Sequence, residues 1–157
     1  MVPGAGKANM ILLEIPWPAK EVWPNYRQSH HWRSYEGPVK AQRELGKAVA
    51  ERCHPTQADY EALAGLDKIA FNVEFYPPDR RHRDDDGMVG AIKSARDGIA
   101  DGLNVNDRRF QATYRFMEPE KPGRVVIRIG KTVSTKEEGN ENEQRCEHCG
   151  RGTAPTY

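Results

Sequence analysis

Apolar and polar positions alternate with a period of two over residues 69–76, where Ile69, Phe71, Val73 and Phe75 are spaced by Ala70, Asn72, Glu74 and Tyr76 ahead of Pro77 and Pro78. That period predicts a strand with one buried face. Residues 10–15 (MILLEI) form a short continuous apolar run stopped by Pro16 and Pro18, which suits a buried strand better than a helix. Further on, Ala112, Tyr114 and Phe116 alternate, as do Val125, Ile127 and Ile129, and residues 118–123 (EPEKPG) between them read as the turn of a hairpin. Helical spacing takes over elsewhere. Ala41, Leu45, Ala48 and Val49 recur within residues 39–53 with charged residues between them, predicting an amphipathic helix. Val89, Ile92, Arg96, Ile99 and Leu103 make a second stripe, with Arg96 its odd member and Gly102 placed to end it, which predicts a helix over residues 88–101. Residues 19–38 hold Trp23, Tyr26, Arg27, His30, His31, Trp32, Arg33 and Tyr35 with little periodicity and read as a long loop. Residues 54–66 read as a connector containing a helical turn.

With 157 residues the chain has room for one domain with tails. The expected division is a flexible leader at residues 1–9, a folded body at 10–130 and a disordered charged tail at 131–157. Twenty-four Lys and Arg stand against 23 Asp and Glu, a net charge of +1, so no global positive field points to nucleic acid and any basic surface must be local. Three cysteines, Cys53, Cys146 and Cys149, do not make a secreted disulfide framework, and the first ten residues lack an apolar signal core. No apolar run approaches the roughly 18 residues of a membrane span. These features predict a cytoplasmic protein with no membrane partner.

The chemistry is concentrated after the strand at 69–76. Residues 80–86 read RRHRDDD, between a predicted strand and a predicted helix. In an extended segment Asp84 and Asp86 point the same way and Asp85 the opposite way. Two carboxylates about 4 Å apart at an effective dielectric near 20 repel by about 4 kcal/mol, large beside ordinary folding stability, so something positive must compensate. A hard divalent cation does so, and Mg²⁺ takes one or two carboxylates while keeping waters and phosphate oxygens. The competing use is helix capping, which needs one aspartate, with Asp85 the candidate. A third acid, Asp107, follows the predicted helix in NVND, where it could equally be a turn residue.

These segments resemble the RusA family of Holliday-junction resolvases, including its phage-encoded members, over residues 11–129. The resemblance runs through IPWPAKEVWPN, a basic aromatic segment and a helix, then PPDRRHRDDD and KSARDGIADGLNVNDRRF. It implies an α+β fold with a small mixed β-sheet of about four strands and two main helices packed on it. It also implies a homodimer that resolves four-way DNA junctions by paired symmetric cuts in recombination and repair. The family's metal-binding acids fall on Asp84, Asp86 and Asp107, with Mg²⁺ as the cofactor and Mn²⁺ as a substitute. A family lysine falls on Lys93, as in phage-type members; other members carry it three residues earlier, where this chain has Gly90. Gly87 stands where the pattern usually shows asparagine.

In that chemistry the bound metal acidifies a water and stabilises the departing oxygen, and Lys93 neutralises developing charge. DNA contacts are expected from Arg80, Arg81, Arg83, Arg108 and Arg109, with Arg27, Arg33 and Lys40 in the aromatic loop. Trp32 or Tyr35 either packs against the first helix or stacks on an unpaired base. His30, His31 and His82 are expected to contact backbone or phosphate rather than metal. Cys146 and Cys149 have the spacing of half a zinc site, but with His148 they supply three ligands where four are needed, so a tail without zinc is expected. Two rival functions share the fold: a junction-binding protein that does not cut, and a less selective nuclease for flaps or forks.

Overall fold

The computed structural model describes residues 11–131, so the leader, the charged tail and the Cys146/Cys149 motif lie outside the described residues. Four strands, β1 (Ile11–Pro16), β2 (Ile69–Tyr76), β3 (Phe110–Phe116) and β4 (Arg124–Lys131), form one sheet in the order β1-β4-β2-β3. The β1–β4 and β4–β2 pairs are antiparallel and β2–β3 is parallel, so the sheet is mixed. The register explains the core: Leu13 lies opposite Ile127, Ile127 opposite Val73 and Val73 opposite Tyr114, and neighbouring rows repeat the pattern. One face of the sheet is thereby apolar throughout. Its other face carries hydrogen-bonded polar pairs such as Arg128 with Glu74 and Thr113 with Asn72.

The expected hairpin between residues 112–116 and 125–129 is not formed, because β2 lies between those two strands. Burial gives the reason. β4 buries Val125, Val126, Ile127 and Ile129, apolar on both faces, and belongs in the middle of the sheet, whereas β3 buries only Phe110 and takes an edge. The chain reaches β4 by crossing over the end of β2, where the Met117 amide donates to the Phe75 carbonyl (2.9 Å) and the Glu120 amide to that of Pro77 (2.7 Å). Gly123 closes this crossing at φ 86°, where a Cβ would lie 2.9 Å from the Pro78 ring.

Among the described residues five α-helices complete the fold: α1 (Pro24–Ser29), α2 (Glu36–Arg52), α3 (Gln57–Ala64), α4 (Asp85–Ala91) and α5 (Lys93–Gly102). α2 and α5 are the two main helices, and they pack against each other and the apolar sheet face, with Ala50, Ala95 and Ile99 fully buried. The buried line of α2 is Gln42, Gly46 and Ala50, one position displaced from the predicted stripe, and Ala41 is exposed. Small residues set that line because the helices touch backbone to backbone: a Cβ on Gly46 would lie 2.2 Å from the Ala95 carbonyl oxygen. The helix expected over 88–101 starts earlier and breaks at Ile92 (φ −99°, ψ 2°), giving α4 and α5. The break strands carbonyls at the end of α4, and the Gln42 side-chain amide reaches across to donate to the Ala91 carbonyl (2.7 Å). The long loop also contains order: α1 begins at Pro24, whose fixed φ suits a first helical position. The connector holds α3, capped by Thr56 and Asp59 in a reciprocal capping box.

Candidate active site

The loop between β2 and α4 is held by Asp79. Its Oδ1 accepts from the Arg81 amide (2.9 Å) and from Arg83 Nη2 (2.9 Å), while Arg83 Nη1 donates to the carbonyls of Asp79 and Arg81. The Arg81 amide, followed by the Arg83 guanidinium, holds the Asp79 carboxyl below its ordinary range. Arg83 also stacks over Trp17 at 5.3 Å from the ring centre. The arginine run thus leaves the sheet in a fixed conformation and delivers three aspartates to the start of α4.

Asp84 occupies the N-cap position of α4, with Asp85 and Asp86 in its first turn. The extended alternation expected for residues 84–86 is therefore absent, and Asp85 is not the cap. Acids gather at this helix start because backbone amides there favour negative charge. Yet no side chain makes a capping bond, and among the described residues none of the three carboxylates forms an ion pair or hydrogen bond. All three are exposed and line one open hollow of about 660 Å³, with Pro24, Asn25 and Gln28 of α1 and with His82 and Arg83 around it. Three adjacent carboxylates outnumber the Arg83 cation in this hollow and favour cations there. Two solvent-facing carboxylates suit magnesium, which needs no complete protein cage.

Asp107 stands elsewhere in the described fold. It begins a single 3-10 turn (Asp107–Arg109) ahead of β3 and lines a second hollow with Arg43, Asp97 and Asp101. Arg43 is paired there with Asp101 at 2.9 Å. The turn is fixed by Asn106, whose side-chain oxygen accepts from the Arg108 amide, and by Arg96, whose Nη2 donates to the Asp107 carbonyl (3.0 Å). Arg96 accounts for its place on an apolar stripe by lying 5.8 Å from the rings of both Phe71 and Phe110. Lys93 is exposed at the first position of α5 and lines neither hollow. Among the described residues no group of three or more His, Cys, Asp and Glu side chains is arranged to hold a metal ion. The fold brings Asp84 and Asp86 together and leaves Asp107 and Lys93 apart from them within these two hollows.

The basic residues divide by how freely they reach solvent. Arg80 and Arg108 are exposed and unpaired among the described residues, and Arg81 pairs loosely with Asp79 at 3.7 Å. Arg109 donates to the Ala64 carbonyl (3.1 Å), and Arg83 is committed to Asp79 and Trp17. Arg27 lies over Tyr35 and Arg33 over Trp32, which is 49% exposed and so only half covered. His30 and His31 bond backbone groups, to the Tyr26 carbonyl and from the Arg33 amide, while His82 faces the acidic hollow. Asp79, Arg96 and Gln42 are positioning residues that periodicity did not single out. For Arg96 a signal existed, a lone cation on an otherwise apolar stripe.

Among the described residues no helix is long and apolar enough to cross a membrane. No family model matches the chain. A protein of Xylella fastidiosa (strain Temecula1), described as uncharacterized, is 38% identical over 127 residues, covering 80% of this chain and 79% of that one.

Proposed function

The chain belongs to the same family as the Xylella fastidiosa protein, and we propose that it is a magnesium-dependent, structure-selective endonuclease that cuts four-way DNA junctions. One observation carries this reading: Asp84 and Asp86 face a single open hollow with their carboxylates unspent on capping or ion pairs. Helix capping, the competing use, is not made by the Asp84 side chain at its N-cap position. The likeness of PPDRRHRDDD and the NVND turn to RusA resolvases supplies the reaction class. Asp107 and Lys93 join the catalytic set on that resemblance.

Bound at Asp84 and Asp86, magnesium, or manganese in its place, would supply an acidified water and positive charge for the attacked phosphate. The chain's own groups do the rest. Asp79 and Arg83 hold the loop so that both carboxylates face the hollow without reorganisation. Arg80 in the arginine run, exposed and unpaired among the described residues, offsets an acidic site that would repel phosphate, and the resemblance assigns further DNA contacts to Arg81, Arg108, Arg109, Arg27, Arg33 and Lys40. The resemblance alone assigns Lys93, which lines neither hollow, the neutralising of charge as the bond breaks. A homodimer follows from the substrate, because a four-way junction has near two-fold symmetry and paired cuts need one site on each side.

The test is incubation of purified protein with a synthetic four-way junction, a fork and a linear duplex, in Mg²⁺ or in EDTA, beside Asp84→Asn. Paired nicks in the junction that need Mg²⁺ and vanish in the variant are expected. Tight binding with no nick assigns a junction-binding role instead, and equal cutting of forks assigns a less selective nuclease.

A further inference from the structure

A third hollow, about 630 Å³ and lined largely by aromatic rings, adjoins the acidic one and shares Asn25 and Arg83 with it. Its walls come from the IPWPAKEVWPN segment and α1. Trp17 and Trp23 stand at 6.0 Å between ring centres, and Tyr26 and His30 are stacked at 3.7 Å with their planes 3° apart. Trp17 meets Phe75 edge-on, which anchors this aromatic group to the core, and the Arg83 guanidinium lies over the Trp17 ring. The indole N–H of Trp23 donates to the Pro18 carbonyl (3.3 Å), which leaves ring surface rather than a polar edge for a ligand. Lys20 stands at the rim, a cation where a phosphate would pass.

We propose that this aromatic hollow receives one unstacked nucleobase of the cleaved strand, next to the nucleotide whose phosphate reaches Asp84 and Asp86; the inference rests on the nuclease reading above. Three features select a base over other apolar occupants. The walls are π surfaces, on which any base can stack irrespective of sequence. Asn25 at the junction of the two hollows supplies a side-chain amide for a base edge, while the Ser29 hydroxyl and His30 Nδ1 are taken up by carbonyls of the same helix end. Arg83 lies between the two hollows, stacked on Trp17 and lining the acid site, so a strand spanning both passes its cation. Branch points hold bases that have lost a stacking neighbour, which makes their withdrawal cheapest where this protein would act. The pocket would thereby favour branched over continuous duplex.

The experiment scans a synthetic four-way junction with single abasic substitutions around the cut site, measuring affinity in EDTA and cutting in Mg²⁺. Wild type, Tyr26→Ala and Tyr26→Phe are compared. One position within a few nucleotides of the cut is expected to weaken wild-type binding about tenfold, the scale of one lost base–aromatic stack. Tyr26→Ala should bind the intact junction as weakly as wild type binds the abasic one and lose nothing further on it, while Tyr26→Phe behaves as wild type. A flat scan with normal cutting overturns the pocket and leaves the nuclease standing, and so does discrimination retained in Tyr26→Ala. A wild type that neither binds nor cuts the junction overturns both. Where the alanine variant does not fold, a flat wild-type scan still overturns the pocket and a single sensitive position beside the cut supports it.

Discussion

Replacing Gly98 by alanine tests how closely the two main helices approach. A Cβ at Gly98 would lie 1.9 Å from the Arg43 carbonyl oxygen and 3.0 Å from the Lys47 amide nitrogen, and both neighbours are backbone. Real Cβ contacts stay above 3.0 Å, so α5 and α2 would have to separate by more than an ångström. Neither can drift freely, because Ala50, Ala95 and Ile99 are sealed against the sheet. Overpacking of this kind costs about 1 to 3 kcal/mol, and rigid backbone partners place Gly98 at the upper end. Alanine returns up to about 1 kcal/mol of helix propensity, leaving a net loss of about 2 kcal/mol. In urea, with a slope of about 1 to 3 kcal/mol per molar, the midpoint should fall by about 1 M. Gly37→Ala in α2 is the control: nothing lies within 4 Å of its Cβ, so its midpoint should hold or rise. Equal midpoints for Gly98→Ala and wild type would refute backbone contact between α2 and α5.

Asp86→Asn and Asp107→Asn should each abolish junction cutting while leaving binding intact or tighter, since repulsion from phosphate falls; wild-type turnover in gel assays by either would count against the acid set. Arg96→Met, which removes a charged donor from the Asp107 carbonyl, should lower unfolding free energy by about 1.5 to 3 kcal/mol, read from urea curves. Glu74 is held below its ordinary value by the Tyr76 hydroxyl first and by Arg128. A carboxyl lowered in the fold contributes fully above its unfolded value and loses that contribution as pH falls through the folded one. Glu74→Gln should therefore be less stable than wild type at neutral pH, with the gap closing below about pH 4.5 in thermal scans.

The strands were legible wherever one face is buried and the other wet, as in Ile69, Phe71, Val73 and Phe75, because side-chain alternation is local. Strand order was not, because it depends on which strands are apolar on both faces. Val125-Val126-Ile127 held that signal, yet the neighbouring turn residues pointed to a hairpin. The line Gln42, Gly46, Ala50 escaped a hydrophobic count, since close packing of helix backbones selects small residues rather than greasy ones. The acidic run was visible as composition, and its placement at one hollow was anticipated through extended geometry, whereas a helix start produces it. Asp79 went unnoticed because its role is to bind its own loop, which no spacing announces. Residues 19–38 read as a long loop, for a six-residue helix beginning at proline is too short to show a period.

The most direct test of the acid hollow is Mn²⁺ binding followed by electron paramagnetic resonance, for wild type and for the Asp84→Asn, Asp86→Asn double variant, each bound to a four-way junction. Wild type should bind Mn²⁺ that Mg²⁺ displaces, and the double variant should bind none above the level of the junction alone. Undiminished Mn²⁺ binding by the double variant would contradict the assignment of the ion to Asp84 and Asp86.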